Sequence, residues 1–518
     1  MRFLVLLITF LLPAFFAAAQ TPKHANWQLD DPGKDFGAGV NKAYELLEGR
    51  PHKTIVVAVI DIGTDINHED LKDVIWTNTG EIPGNGIDDD HNGYIDDVHG
   101  WNFLGGRNGD IGYEASELTR QYRKLAKKYA AADTGIFTGR EAEDFAAFRK
   151  MRGQYWKEKQ EAEGQYKALK LTDSFFTKVK QQHNGVLNKA ALKAYKPGTP
   201  PEAKLKKKMK MVFTLGLGDA IEKQVAEACS QLSNRVQFYY KDADSARRAI
   251  VGDDPDNPNE RFYGNNNVIG PEASHGTHTA GIIGAVRGNG KGPDGVAGDV
   301  RIMVVRAVAW GDERDKDVAN AIRYAVDNGA AVINMSFGKT LSPDKQVVDA
   351  AVQYAVSKDV LLVHGAGNES ANNDSTANFP GPQYLSGGSA EGWIEVGATG
   401  RKKGKHLVAS FSNYGHKTLD IFAPGEEIYS TMPGNTYHED SGTSMAAPVV
   451  AGIGALIREY FPDMKAKDIK ALLMRTVSTQ ESEVIVPGTR DVKKSLKDIS
   501  VSGGVVNAGQ AVQALISH

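Results

Sequence analysis

The chain has 518 residues, and 61 Lys and Arg face 64 Asp and Glu, for a formal net charge of −3. That balance gives no basic footing for a nucleic-acid partner. The lone cysteine, Cys229, excludes an intramolecular disulfide, so an exported chain of this length must rely on a large core or a bound ion. The first twenty residues, MRFLVLLITFLLPAFFAAAQ, place Arg2 before an apolar run from Phe3 to Phe16 and an A-x-A site at Ala17–Ala19. They read as a signal peptide over 1–19, which predicts export to the periplasm or the extracellular medium. No cysteine follows for a lipid anchor, and no later segment reads as a transmembrane span. Residues 20–53 form a short N-terminal segment.

Two stretches, 54–104 and 262–518, alternate strand and helix. TIVVAVI (54–60), VRIMVVRAV (300–308), AAVINMSF (330–337), DVLLVHGAG (359–367) and WIEVGAT (393–399) are near-continuous apolar runs rich in Val and Ile. Such runs suit parallel strands covered on both faces. The helical patterns between them predict an α/β fold with a mainly parallel sheet flanked by helices in three layers, and ligand sites beyond the strands' C-terminal ends. Residues 105–261 differ. Leu118, Tyr122, Leu125 and Tyr129 mark an amphipathic helix in a Lys- and Glu-rich background, so this part reads as a mostly helical insertion.

Asp61 ends the first apolar run, in VAVIDIG. His275 opens a helical pattern, SHGTHTAG, where Ser274 is positioned as a cap. The pair His275 and His278 lacks the neighbouring Glu of a zinc-protease helix. Asn368 follows another strand, in HGAGN, and Ser444 lies in SGTSMAAP at an expected helix start, with Pro448 read as a first-turn proline. A serine is a weak nucleophile unless a base takes its proton. His275 would be that base, Asp61 would fix its tautomer, and Asn368 with the helix N-terminus would meet a developing oxyanion.

These motifs, in the order Asp, His, Ser, resemble the subtilisin-like serine peptidases, the subtilase family. The resemblance rests on VAVIDIG, HGTHTAG, INMSFG (333–338), GAGN and SGTSMAAP. It implies the subtilisin-like fold and an endopeptidase working through an acyl-enzyme. It also implies that Ser336, Phe337 and Gly338 pair with an extended polypeptide substrate as an added strand. Gly365, Ala366 and Gly367, behind His364, would then wall the pocket for the substrate side chain. Two departures stand out. Ile62 replaces the usual hydroxyl residue after the acid, and Asp61 and His275 are 214 positions apart because of the insertion. The segment 20–53 is too short for a folded pro-region. A catalytically silent relative that binds calcium and extended peptides is the alternative; the intact Asp61, His275, Asn368 and Ser444 argue against it.

GNGIDDDHNGYIDD (84–97) opens like an EF-hand loop. Asp88, Asp90, Asn92, the Tyr94 carbonyl, Asp96 and Asp97 are the expected ligands of a structural calcium ion. Asp70, in HEDL, also matches a calcium ligand of the family resembled.

Overall fold

The computed structural model describes residues 24–33, 35–131, 137–214 and 218–517; the signal-peptide reading of 1–19 lies outside them. Seven strands form the central sheet. They are β1 (Ile55–Asp61), β2 (Gly100–Asn102), β3 (Val300–Arg306), β4 (Val332–Met335), β5 (Leu361–Gly365), β6 (Trp393–Thr399) and β7 (Ile421–Pro424). Their order is β2-β3-β1-β4-β5-β6-β7, and every neighbouring pair is parallel. All five expected apolar runs are strands. A separate antiparallel hairpin, β8 (Ile428–Met432) and β9 (Thr436–Asp440), precedes the Ser444 helix.

The helices are α1 (Val40–Leu47), α2 (Glu117–Tyr129), α3 (Gly139–Gln182), α4 (Lys189–Ala194), α5 (Pro200–Thr214), α6 (Gly218–Asn234), α7 (Asp244–Ile250), α8 (Ser274–Gly284), α9 (Asp315–Asp327), α10 (Lys345–Ser357), α11 (Thr443–Tyr460), α12 (Ala466–Arg475) and α13 (Ala508–Ile516). Alternation along β1 divides the core. Ile55, Val57 and Val59 pack with α1, α8, α11, α12 and α13, while Ala58 and Ile60 pack with α9 and α10. The sheet is therefore the middle of three layers. Helix α11 is apolar on all sides because it lies deep within one of them.

Helices α2 to α6 pack against one another, away from the sheet. Phe175, Phe176, Leu192 and Met209 make one small core, and Leu118, Tyr155 and Tyr240 another. Among the described residues no helix is long and apolar enough to cross a membrane.

Candidate active site

Parallel strands end together, so residues distant in sequence meet at one rim of the sheet. Asp61 is the last residue of β1, Ser336 follows β4, and Asn368 lies just past β5. The second residue of α8 is His275, and the second residue of α11 is Ser444. All five line one cleft of about 850 Å3.

The Asp61 carboxylate is buried and accepts from His275 Nδ1 at 2.8 and 2.9 Å. Ile62 offers no hydroxyl, but its backbone N–H donates to Asp61 Oδ1 at 2.7 Å, and the Thr279 hydroxyl, one helical turn beyond His275, reaches Oδ2 at 3.4 Å. Burial alone would lower the His275 pKa. The facing Asp61 carboxylate outweighs it and holds the imidazole above its ordinary value of 6.5. Its Nε2 has no hydrogen-bond partner among the described residues. Gly276 permits this arrangement, since any side chain there would strike the Gly63 carbonyl. Ser274 does not cap α8. The Glu272 carboxylate does so, accepting from the Ser274 N–H at 2.8 Å. His278 turns away from the cleft, with Nε2 3.1 Å from the His438 carbonyl oxygen.

Ser444 and Ser336 hold each other. The Ser444 hydroxyl donates to the Ser336 carbonyl at 3.1 Å, and the Ser336 hydroxyl donates to the Ser444 carbonyl at 2.9 Å. The second bond explains Pro448. This proline lies in the second turn of α11 rather than the first, and it lacks the N–H that the Ser444 carbonyl would otherwise receive. Ser336 supplies the replacement donor. Asn368 is fixed through its oxygen: Oδ1 accepts the Thr443 N–H at 2.9 Å and the Thr443 hydroxyl at 3.2 Å. Its Nδ2 is thereby left free to donate elsewhere.

Phe337 and Gly338 follow Ser336 along the cleft, and Gly365 and Gly367 face them. Ala366 does not join them. It is fully buried, packed with Phe36 and Leu407, and the structure turns it into the core. Sequence reasoning missed several cleft residues. Asn378 lies in a loop that reads as an ordinary turn. Glu313 carries a carboxyl in the cleft wall whose Oε1 has no partner among the described residues, and burial pushes its pKa up to about 7. Ser230, Asn234, Arg235 and Tyr239 come from the end of α6 and the turn after it, so the insertion walls one side of the cleft.

In the acidic loop, Glu81, Asp90 and Asp97 bring carboxylate oxygens within 4.8 Å of one another. Glu81 was not among the expected ligands, whereas Asp90 and Asp97 were. Asn92 sits beside them, with Nδ2 donating to Asp90 at 3.2 Å and Asp97 at 3.1 Å. The carboxylates of Asp88 and Asp96 lie outside that group of three. Asp88 accepts the Asn92 and Gly93 N–H groups, and Asp96 accepts those of Gly84, Asn85 and Gly86. The Tyr94 ring is buried against Trp101 and Tyr324. Burial pushes the Asp97 carboxyl up to about 6 despite hydrogen bonds from Tyr324, Asn78 and Asn92. Elsewhere, Asp70 is fully buried and accepts from Asn289 at 2.6 Å through Oδ1, while Oδ2 has no partner among the described residues.

A parallel α/β sheet with an Asp–His pair, a serine at a helix start and a side-chain amide along one cleft defines the serine-hydrolase class of site. The model of the subtilase family matches residues 52–498, and the chain belongs to that family. It is 43% identical over 185 residues to the thermophilic serine proteinase of Bacillus sp. (strain AK1), covering 36% of this chain and 42% of that protein. It is 39% identical over 203 residues to thermitase of Thermoactinomyces vulgaris, covering 39% of this chain and 66% of that protein. Against subtilisin DY of Bacillus licheniformis it is 35% identical over 206 residues, covering 39% and 70%. The chain thus spans less than two thirds of the length of the first two relatives.

Proposed function

We propose that the protein is an exported serine endopeptidase that cleaves extended polypeptides. The observation that carries this reading is the bidentate contact of His275 with Asp61 in the same cleft as Ser444 and Asn368. On substrate binding, the Ser444 hydroxyl turns from the Ser336 carbonyl to His275 Nε2 and gives up its proton as Oγ attacks the scissile carbonyl. Asp61 stabilises the imidazolium. Asn368 Nδ2 and the Ser444 backbone N–H receive the oxyanion at the positive end of α11. His275 then protonates the leaving amine, and water releases the acyl group from Ser444. Ser336 and Gly338 present backbone groups to the substrate as an edge strand. The helical insertion walls one side of this groove. Purified wild type should hydrolyse an unfolded protein substrate, and Ser444→Ala should not; equal hydrolysis by both would refute the assignment.

One oxygen-lined position suits calcium, which binds carboxylates and carbonyls. Glu81, Asp90 and Asp97 would hold the ion, and the unpartnered oxygen of buried Asp70 is a second candidate ligand. Such an ion supplies no chemistry to the cleft. It stabilises a chain with one cysteine by binding its native state.

A further inference from the structure

Helix α3 is an arm. Its 44 residues span about 66 Å. Towards one end, Tyr155 and Ala162 pack with Leu118, Tyr240 and Leu341, the last of these from the sheet body. Towards the other end, Phe175, Phe176 and Val179 pack with Leu192 of α4 and with Met209 and Phe213 of α5. Helices α4 and α5 thus form the far tip of the arm, held by α3 and α6.

The tip is strongly basic. Residues 169–214 hold eleven Lys and no Arg against Asp173 and Glu202, in a chain whose formal net charge is −3. Glu202 is buried and already engaged: Lys178 donates to it at 2.6 Å, the Tyr195 hydroxyl at 3.1 Å and the Gly198 N–H at 2.8 Å. Lys206 folds inward onto the Lys193 and Tyr195 carbonyls at 2.9 and 2.7 Å. Lys189, Lys193, Lys196, Lys204, Lys207 and Lys208 are exposed, and none has a carboxylate partner among the described residues. Lys204 and Lys208 are four apart on one helix, a like-charge spacing that destabilises it. An anionic partner would relieve that repulsion.

Helical periodicity divides α5 into two faces. Leu205, Met209, Val212 and Phe213 turn to the core of the tip. Lys204, Lys207, Lys208 and Met211, at i, i+3, i+4 and i+7, share the opposite face. Met211 leaves 65% of its surface to water, and Leu171 of α3 and Val186 before α4 are exposed as well. A soluble anion makes no use of those apolar side chains. Lysines around protruding apolar residues suit a lipid surface, where ammonium groups meet headgroup phosphates and apolar side chains enter the acyl boundary.

We propose that the tip formed by α4 and α5 is a docking surface for an anionic phospholipid bilayer. The cleft takes its insertion residues, Ser230 to Tyr239, from the opposite end of α6 and the turn after it, so docking at the tip leaves the cleft open.

The test is co-sedimentation of the purified protein with vesicles of phosphatidylcholine alone or of an equal mixture with phosphatidylglycerol. Binding is expected to the mixed vesicles only, and to weaken as salt is added. Joint replacement Lys204→Gln, Lys207→Gln and Lys208→Gln should weaken it about 100-fold, at about five-fold per lysine. Circular dichroism checks that the helices survive, as exposed Gln allows. Met211→Ser should weaken binding to vesicles and leave binding to soluble polyphosphate unchanged. The same Gln replacements at Lys493, Lys494 and Lys497, exposed lysines of the sheet body, should leave vesicle binding nearly unchanged. No binding to mixed vesicles, equal binding to both kinds, or an equal loss from the body lysines would each overturn the proposal. Capture by polyphosphate without vesicle binding would overturn it too, and make the tip a site for a soluble polyanion.

Discussion

The sheet body and the helical insertion are held together by different forces. In the body, both faces of β1 bury apolar side chains against helices, and Val57, Ala58, Val59 and Ile60 are wholly inaccessible. The insertion has small cores of its own, and besides apolar contacts such as Val251 with Ala309 and Leu341 with Leu118, buried ion pairs join it to the body. Buried Arg247 of α7 grips Asp317 of α9 with two bonds of 2.7 Å and also contacts Asp253. Arg314 reaches Glu114 at 2.9 Å. Lys339, the residue after Gly338, places its ammonium 2.9 Å from Glu117 of α2 and 2.8 Å from Asp315 of α9. Apolar burial gives the body a frame that can hold a reacting geometry. Paired charges dock the insertion, and such pairs stabilise little when intact but cost heavily when one partner is lost. The body should therefore control chemistry, and the insertion stability and access.

The contrast is sharpest at Asp61. Asp61→Asn should keep the fold and lower kcat by about 10^4, the usual cost of losing the group that sets the histidine tautomer. A loss below ten-fold in steady-state peptide hydrolysis would contradict the role. On the insertion side, Arg247→Met leaves Asp317 and Asp253 without their guanidinium. It should cost about 3–5 kcal/mol of stability in denaturant unfolding, and a change under about 1 kcal/mol would mean that the docking network carries little. Asn368→Ala should lower kcat by about 10^2–10^3; a rise in KM with kcat intact would instead make Asn368 a binding residue.

Chelation should act on stability first. At calcium 100-fold above its dissociation constant a single site contributes about 2.7 kcal/mol, so EDTA should lower Tm and added calcium restore it, while Glu81→Gln should weaken that response. A Tm indifferent to EDTA would refute structural calcium. The smallest effect is one of pH. His275 must be neutral to act as base, and its pKa is raised. Activity should therefore fall as pH drops through a limb of kcat/KM lying above 6.5. A limb at or below that value would show that Asp61 does not hold the imidazole as described.

The strands with long Val- and Ile-rich runs were legible because each run carries its own signal. Strands β2 and β7 were not. GWN is three residues long and IFAP ends in proline, so only pairing with β3 and β6 makes them strands. Asp61, His275, Asn368 and Ser444 were legible because each sits in a compact motif at a strand or helix end. Their supports were not. Thr279 looks like any helix residue, and the exchange between Ser336 and Ser444 joins residues 108 positions apart. Asn378 reaches the cleft floor because Phe379 and Lys339 exchange backbone hydrogen bonds at 2.8 and 3.0 Å, a contact with no local signature. The acidic loop showed its charge, but not that Glu81, which precedes it, folds back to accept the Asp89, Asp90 and Asp96 backbone N–H groups.

The most direct measurement is mass-spectrometric mapping of a fluorophosphonate adduct on the purified protein, with Ser444→Ala and Asp61→Asn alongside. The account predicts one adduct, on Ser444, absent from Ser444→Ala and much slower to form in Asp61→Asn. An adduct on another serine, or none on folded protein supplied with calcium, would contradict it.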